Sequence, residues 1–385
     1  MTNKKRNKLE VVVGDLFESD AQTWVNTVNT VGVMGKGVAR EFRKRFPEMY
    51  RDYSQRCERG EVKLGRPYLY TQLLGPQIIN FPTKGHWRAV SRLRDIVDGL
   101  EYLKDHYRDW GVTSLAVPPL GCGNGGLEWT VVGPTLYQHL AELEIPVELY
   151  APHGTPHVEL QPKFLQRTLS SEGSSDISDA SETTRLQPSW VAAVAALSMI
   201  ERNPHGWPVG KIGFQKLMYF ANAGGLPIGL QFEKGTYGPY ARDLSKIMSV
   251  LVNNDLVRQV PSGRMVVHRP GPSYKHAVKA FRPQLEEWRT RIERVADLFG
   301  RFRDTRSTEL AATVHFAASE LAAGQEGTPS EQDVLDYVMQ WKQNKKPPFE
   351  PREIAKMARS LAMLGWLELQ QSEGVPVDDE ELVGV

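Results

Sequence analysis

The chain has 385 residues, which is enough for two or three domains. Its hydrophobic and charged fractions, 41% and 24%, are ordinary for a soluble globular protein, and a net charge of +1 excludes a polycation that binds nucleic acid through bulk charge. The two cysteines, Cys57 and Cys122, exclude a disulfide framework and fit a reducing, cytoplasmic location. We expect no metal, no cofactor, no secretory signal and no membrane segment.

The first 150 residues alternate between predicted strands and predicted helices. Hydrophobic periodicity predicts strands at 9–13, 23–28, 68–71, 77–81, 114–117 and 147–150. Helices are predicted over 38–46, where Pro47 closes the helix, and over 91–107 and 130–143. This alternation predicts an α/β sheet covered by helices, in which ligands gather at the carboxyl ends of the strands.

Two glycine-bearing loops, 30–37 and 121–126, each follow a predicted strand. Glycine lets backbone N–H groups approach a ligand, and a strand–loop–helix unit aims those groups and the positive end of the helix dipole at an anion. Two such loops on neighbouring strands could clamp a diphosphate from both sides, whereas one loop alone is more typical of a tight turn. Neither loop has Walker A or dinucleotide spacing.

Three polar residues near strand ends are candidate ligand contacts. Asp15 directly follows a buried strand and could accept a hydrogen bond from an adenine amine, although a capping aspartate is the more ordinary explanation. Asn26 and Asn29 straddle the end of the second strand. They could bind ribose hydroxyls, or they could cap the turn.

Together, the glycine loops and these polar residues carry a family resemblance. The order GDLFESDAQTWVNTVNTVGVMGKGVA, then PPLGCGNGGLEW, resembles the macrodomain signature over nearly all of residues 9–152. It is similar in particular to the branch that contains the DarG antitoxins and the terminal ADP-ribose protein glycohydrolase. The resemblance implies a mixed sheet flanked by helices and a pocket for ADP-ribose.

The resemblance implies a role for each matched position. Asp15, with Leu16 beside it, would hold the adenine, and Asn26 and Asn29 would lie at the distal ribose. The first loop would wrap the diphosphate and distal ribose through Gly35, Lys36, Gly37 and Val38. The second loop would close on the diphosphate from the other side through Leu120, Gly121, Cys122, Gly123, Asn124, Gly125, Gly126 and Leu127.

Lys84, in the segment NFPTKGHW, is the candidate reactive residue. In the glycohydrolases that this sequence resembles, a lysine after the NFP-like strand does the chemistry, and the human-type enzyme adds an aspartate in the second glycine loop. The aligned position here is Gly125, so the chain follows the DarG pattern, in which the lysine stands without that acid. Without the resemblance, a solvent-exposed lysine would be the ordinary expectation, and Glu128 and His86 are the nearby acid–base candidates.

Aromatic and basic residues near the pocket are candidate DNA contacts. Trp87 and Arg88 could stack a base and hold a phosphate, although core packing explains Trp87 equally well. Between Arg40 and Arg66, Arg and Lys outnumber Asp and Glu by 9 to 5, which fits a nucleic-acid contact and a solvated helix face about equally.

The character of the chain changes after the predicted macrodomain, which we assign to residues 1–160. Residues 161–188 include SSEGSSDISDASETT, a small, polar, acidic stretch that predicts a flexible linker. The pattern of residues 189–371 predicts a mainly helical domain with a small β element near 264–268. Residues 372–385 are predicted to form an acidic tail. The predicted helices are 190–201, 211–222, 241–253, 274–302, 307–320, 331–342 and 351–364.

The helical domain carries a second resemblance. KLMYFAN and KGTYGPY, within residues 211–243, resemble the SocA-like antitoxin domain and the C-terminal region of DarG. The resemblance implies that this domain binds and blocks a DarT-like toxin, a DNA ADP-ribosyltransferase, while the macrodomain removes ADP-ribose from ADP-ribosylated single-stranded DNA, mainly at thymidine. The alternatives are a non-catalytic reader of ADP-ribose and a protein mono-ADP-ribosyl glycohydrolase with a protein-interaction domain.

Overall fold

The computed structural model describes residues 8–166, 186–203, 206–263, 265–324 and 327–375. The chain folds into two compact units, and the second comprises residues 186–247 together with the described residues from 254 onward.

The first unit is built on a six-stranded mixed sheet. Its strands are β1 Leu9–Val12, β2 Thr23–Asn29, β3 Tyr68–Tyr70, β4 Gln77–Lys84, β5 Leu115–Val117 and β6 Val147–Tyr150. They lie in the order β1-β6-β5-β2-β4-β3, and every neighbouring pair is parallel except β3 and β4. The strands β2 and β5, which precede the two glycine loops, are therefore neighbours with their carboxyl ends at one edge of the sheet.

Helices cover both faces of this sheet. They are α1 Gly37–Arg45, α2 Pro47–Glu58, α3 Leu93–His106, α4 Trp129–Ala141 and α5 Pro162–Leu165. Residues of β2 contribute to a hydrophobic core on each face of the sheet. Trp24 and Val28 pack with α1 and α2 on one face, and Val25 packs with α3, α4 and α5 on the other. This period of two is what a strand buried between two helical layers requires. The predicted mixed sheet flanked by helices is confirmed.

Prolines mark two places in the first unit where the structure goes beyond the prediction. Pro47 closes α1, as expected, but it is also the first residue of α2, a helix that hydrophobic periodicity did not indicate. Proline is tolerated there because the first-turn N–H has no helical partner. Strand β4 continues past Pro82 to Lys84. Strand β3 pairs with β4 only as far as Asn80, so in the described chain no strand lies beside Pro82 on that edge. The missing N–H of Pro82 therefore costs no hydrogen bond to β3.

The predicted boundary at residue 160 also needs correction. Phe164 and Leu165, on the short helix α5, are buried in the core of the first unit. The folded unit therefore extends at least to Leu165, and the predicted linker cannot begin at 161. Residues 167–185, which hold most of that predicted linker, lie outside the described residues, as do residues 376–385 of the predicted tail.

From Leu186 onward the described chain is mainly helical. The helices are α6 Pro188–Arg202, α7 Lys211–Ala223, α8 Leu244–Asn253, α9 Tyr274–Ala280, α10 Arg282–Glu287, α11 Arg289–Gly300, α12 Thr305–Gly324, α13 Glu331–Trp341 and α14 Pro351–Met363. Two antiparallel hairpins accompany them, formed by β7 Glu233–Gly235 with β8 Gly238–Tyr240, and by β9 Val257–Ser262 with β10 Met265–Pro270. The small β element predicted near 264–268 is confirmed as β10.

The single helix predicted over 274–302 was wrong. The chain forms three consecutive helices there, with breaks at Phe281 and Trp288. Pro283 lies in the first turn of α10, where its missing N–H costs nothing, whereas in the middle of a continuous helix it would remove a hydrogen bond. Helical periodicity runs through the whole segment, which hides the break.

Buried lysines fix the hairpin that carries the YGPY sequence. The Lys216 ammonium, on α7, donates to the carbonyl of Pro239 at 2.7 Å, and Lys342 donates to the carbonyl of Thr236 at 2.8 Å. Glu309, on α12, lies 3.3 Å from Lys342. All three side chains are buried, so each charge depends on these partners. The KLMYFAN and YGPY motifs are thus parts of one packed arrangement.

In the described part of the chain, no helix combines the length and apolar character needed to cross a bilayer.

Candidate functional site

The first glycine loop is built around Asn29, the last residue of β2. Its side-chain oxygen accepts hydrogen bonds from the amides of Val31 at 3.0 Å and Val33 at 3.3 Å, and its amide group donates to the carbonyl of Val33 at 2.6 Å. The Tyr53 hydroxyl donates to the backbone carbonyl of Asn29 at 2.8 Å. These bonds show that the Asn29 side chain shapes the loop. The ribose contact that the resemblance implies for Asn29 stays a prediction.

The rest of the first loop leads into helix α1. Gly35, Lys36 and Gly37 are exposed, and Val38 is half-buried against the core. Lys36 occupies the N-cap position in an extended conformation and makes no capping bond through its side chain, and Gly37 takes a positive φ of 57°. Because no side chain caps this helix start, its first-turn amides are available to an anion.

The second loop is a tight glycine turn packed against helix α3. Gly121, Gly123 and Gly126 have positive φ angles, which favour glycine. A Cβ on Gly121 would lie 2.6 Å from Ile96 Cδ1, so a larger residue there would also have to displace that side chain. Leu120 and Leu127 bury their side chains in the core, and their contribution to a ligand site is limited to backbone.

Gly125 packs directly on Ser91, a residue that no local sequence pattern singles out. The Ser91 amide donates to the Gly125 carbonyl at 2.7 Å. A Cβ at position 125 would lie 2.5 Å from Ser91 Oγ. Both residues are buried. The position that the resemblance aligns with an aspartate of the human-type enzymes therefore holds a glycine packed against Ser91.

Lys84 joins the two loops. It is the last residue of β4 and pairs with Asn29 at the end of β2, just after a register shift in the ladder between these strands. Its ammonium donates to the backbone carbonyl of Asn124, in the second loop, at 2.9 Å. The Asn124 side-chain nitrogen lies 3.4 Å from where a Cβ on Gly37 would stand, so the first loop is close as well. Three segments far apart in sequence converge on Lys84.

Asn26 lies deeper in the sheet than expected. Its side chain is completely buried and donates to Asn80 Oδ1 on β4 at 2.9 Å. A side chain without exposed surface does not reach a ligand from this position. The predicted ribose contact is therefore replaced by a role in holding β2 against β4.

Asp15 and Leu16 lie at the end of β1, two strands away from β5. Asp15 is exposed, and its carboxylate accepts a hydrogen bond from the Phe17 amide at 3.0 Å, as the capping explanation anticipated. One carboxylate oxygen accepts more than one bond, so the cap leaves acceptor capacity for a ligand. The Leu16 side chain is buried in the core and offers a ligand only its backbone.

The segment after Lys84 forms a stacked group. The His86 and Trp87 rings stack with centroids 5.5 Å apart, and the Arg88 guanidinium lies 4.3 Å from the Trp87 centroid. The Arg88 amide donates to His86 Nδ1, which leaves the proton of the neutral ring on Nε2. Burial, and then the positive charges of Arg88 and Lys84, lower the pKa of His86. Trp87 is 41% exposed, which excludes the core-packing explanation.

The surroundings of Cys122 keep its thiol protonated. Burial, and to a smaller extent the nearby Glu128 carboxylate, raise the pKa of its thiol to about 12. The thiolate, which is the reactive form, is therefore rare at neutral pH.

The site thus combines two loops of backbone amides, an uncapped helix start and a lysine between them, which suits a ligand with a diphosphate. The Macro domain family model matches residues 25–136, the segment that holds both loops and Lys84. The first unit is a macrodomain.

Known relatives extend this likeness beyond the first unit. The DNA ADP-ribosyl glycohydrolase of Thermus aquaticus is 34% identical over 313 residues, which cover 80% of this chain and 82% of that protein. The chain belongs to the DNA ADP-ribosyl glycohydrolase family, the DarG family, and the resemblance carried by the motifs is confirmed.

Two further likenesses cover less than half of this chain. A DNA ADP-ribosyl transferase–DNA ADP-ribosyl glycohydrolase fusion protein of Thermosipho africanus is 42% identical over 182 residues, which are 42% of this chain and 47% of the fusion. The solved macrodomain of Mycobacterium tuberculosis DarG is 47% identical and covers 37% of this chain and 97% of that chain, with a TM-score of 0.36.

Proposed function

We propose that the macrodomain removes ADP-ribose from ADP-ribosylated DNA, at the thymidine base of single strands, and that Lys84 is the reactive residue. The observation that carries this proposal is the Lys84 ammonium, 2.9 Å from the Asn124 carbonyl, between the two loops that suit a diphosphate. Such a clamp would hold ADP-ribose with its distal ribose near the lysine. The name of the Thermus aquaticus relative supports the choice of DNA over protein as the substrate.

The lysine amine can act on the anomeric carbon, C1″, of the distal ribose. It either attacks that carbon directly or traps the ring-opened aldehyde as a Schiff base. In both routes the C1″–N bond to the base breaks, the base leaves with a proton, and water finally releases the sugar from lysine. The amine must lose its own proton before it can act as a nucleophile. The acid that protonates the leaving base is a group other than residue 125.

The test compares wild type, Lys84→Ala and Lys163→Ala on an oligonucleotide that carries ADP-ribosylated thymidine. Lys163 is an exposed lysine on α5 and serves as the matched control. We expect Lys84→Ala to lose base release while it still binds ADP-ribose in calorimetry, and the control to match wild type. Equal release by Lys84→Ala and wild type would remove Lys84 from the mechanism.

A second candidate function follows from Gly125. Because this position has no acid and packs against Ser91, a pocket that binds ADP-ribose without cleaving it is the main alternative. Tight binding of ADP-ribose, together with no turnover on modified DNA or on mono-ADP-ribosylated protein, would favour such a reader. Turnover on the protein alone would favour a protein glycohydrolase.

We also propose that the unit from Leu186 onward, the predicted antitoxin domain of residues 189–371, binds and inhibits a DarT-like DNA ADP-ribosyltransferase. The Thermosipho africanus relative supports this partner, since its name describes transferase and glycohydrolase in one polypeptide. The β7–β8 hairpin supports a binding role, because it presents the exposed Tyr237 and Tyr240 on a base fixed by buried lysines. Tyrosines on a rigid support are typical of binding hot spots.

The test is inhibition of a DarT-like toxin by the full chain that carries Lys84→Ala, so that hydrolysis does not contribute. We expect inhibition to persist in this variant and to weaken when Tyr237→Ala and Tyr240→Ala are added. Loss of inhibition with Lys84→Ala alone would contradict the proposal that two units carry separate functions.

A further inference from the structure

The macrodomain carries a turn that packs beside the proposed reactive lysine. Gly85 directly follows Lys84, and its carbonyl accepts a hydrogen bond from Thr30 Oγ1 at 2.7 Å. A Cβ on Gly85 would lie 3.9 Å from Cδ1 of Leu64. Leu64 belongs to the turn 63–66, whose ends pair as a short antiparallel bridge. The turn 63–66 therefore borders Gly85, the residue that follows Lys84 in the chain.

The turn has the composition of a surface that contacts a nucleic-acid backbone. Lys63 and Arg66 flank Leu64, and all three are exposed. Gly65 lets the turn lie close to helix α3, where a Cβ on Gly65 would lie 2.9 Å from Asp98 Cβ. Asp98 thus packs against the glycine between the basic residues. Two cations and one exposed apolar side chain remain on the outer side of the turn.

A second group of side chains near Lys84 is the stack of His86, Trp87 and Arg88. It begins two residues after Lys84, and its middle member, Trp87, is 41% exposed. A tryptophan supported by a second ring offers a rigid flat surface for a base, and an arginine guanidinium stacks on bases as well as binding phosphate. A protein substrate would offer no regular array of flat rings and phosphates to this combination.

We infer that the turn 63–66 and the segment 86–88 form one binding surface for the unmodified DNA strand that flanks the ADP-ribosylated nucleotide. In this assignment Trp87 stacks a neighbouring base, while Lys63, Arg66 and Arg88 contact phosphates. The inference deepens the proposed glycohydrolase function, on which it rests, by giving the strand a site separate from the ADP-ribose pocket. Binding of an unmodified strand to this surface can therefore be measured without hydrolysis of ADP-ribose.

The first experiment measures binding of an unmodified, fluorescent single strand of about twelve bases to the full chain by anisotropy. Trp87→Ala should weaken binding by roughly tenfold or more, the usual effect of losing one stacked base, and Trp87→Phe should restore most of it. Lys63→Gln and Arg66→Gln should each reduce the salt dependence of the affinity by about 0.7 in logarithmic slope, the value for one phosphate contact on a single strand. Lys163→Ala, the control, should change neither quantity.

The second experiment separates this surface from the proposed chemistry. Release of ADP-ribose is measured on a modified thymidine mononucleotide, which has no flanking strand, and on the modified oligonucleotide. Trp87→Ala and Arg66→Gln should raise KM on the oligonucleotide and leave turnover of the mononucleotide unchanged. If wild type cleaves neither substrate, the glycohydrolase proposal fails while strand binding still tests the surface. If the variants bind the unmodified strand as wild type does, the assigned surface is wrong even when hydrolysis is intact.

Discussion

A side chain at position 125 would clash with Ser91 unless Ser91 moved. A Cβ there would lie 2.5 Å from Ser91 Oγ and 3.2 Å from Ser91 Cβ, and both residues are buried. The φ of Gly125 lies outside the left-handed region, so backbone strain adds nothing to this clash. We predict that Gly125→Ala lowers the free energy of unfolding of the macrodomain by about 1–3 kcal/mol, the usual cost of overpacking.

Ser91→Ala is the substitution that should relieve the clash. In the part of the chain that the structure describes, Ser91 Oγ has no hydrogen-bond partner, so removing it should change stability little by itself. In the double variant the tightest remaining approach is the 3.2 Å distance to the Cβ of residue 91. We expect most of the lost stability to return, with a coupling free energy of about 1 kcal/mol or more between the two positions.

The assay is urea unfolding of all four members of this cycle, with ADP-ribose binding measured by calorimetry on the same samples. Gly123→Ala is the matched control, because a Cβ at 123 meets nothing within 4 Å and its cost comes only from the positive φ of 61°. Ser91→Ala should not rescue that control. Additive effects of Gly125→Ala and Ser91→Ala would refute the steric explanation for the missing acid.

Three further predictions concern the loops and the buried ionisable groups. Asn29→Ala removes the bonds that shape the first loop and should weaken ADP-ribose binding by roughly tenfold or more in calorimetry, since each lost bond costs about 1 kcal/mol. The control Asn124→Ala keeps the backbone carbonyl that is bonded to Lys84, and it should retain binding. Weaker binding by Asn124→Ala than by Asn29→Ala would contradict this prediction. Burial, and then the charge of Lys342, lower the pKa of Lys216 to about 7. Between about pH 7 and pH 10 this lysine is therefore protonated in the unfolded chain and neutral in the folded chain. The free energy of unfolding should then rise with pH by up to about 1.4 kcal/mol per pH unit. Lys216→Met should flatten this rise, measured by unfolding in urea with deuterium labelling of the α7 peptide as the signal. A dependence of the unfolding free energy on pH that the substitution leaves unchanged would show that Lys216 stays charged in the fold. Cys122, whose pKa is raised to about 12, should resist alkylation by iodoacetamide in the folded chain at neutral pH, and rapid labelling detected by mass spectrometry would contradict its burial.

The sequence predicts most of this site where local pattern determines structure. The two glycine loops, the strand before each of them and the position of Lys84 after a strand are all visible in short stretches of sequence. Helix α2 and the extension of β4 were missed at Pro47 and Pro82, because a proline marks a boundary in sequence but does not indicate whether a helix, a strand or a loop comes next. The mixed sheet order could not be predicted from periodicity, which says nothing about which strands are neighbours.

The contacts that shape the loops were not predictable, because they join segments far apart in the chain. Nothing in the sequence near Ser91 indicates that it packs against Gly125, and nothing near Tyr53 indicates its bond to Asn29. Burial was also misjudged for Asn26, since an asparagine at a strand end and one inside a sheet look the same in sequence. A paired polar partner on the next strand, here Asn80, is the signal that could have distinguished them.

The buried lysine contacts around the β7–β8 hairpin have a consequence for how this family diverges. Gly238 has a positive φ of 81°, and a Cβ there would lie 2.8 Å from Thr313 Oγ1 and 3.3 Å from the Lys216 ammonium. Lys216 in turn donates to the residue after this glycine, Pro239. The lysine of the first motif and the glycine of the second are therefore expected to be inherited as a pair. Among homologues, replacement of either residue should be accompanied by replacement of the other, although more than twenty positions separate them in this chain.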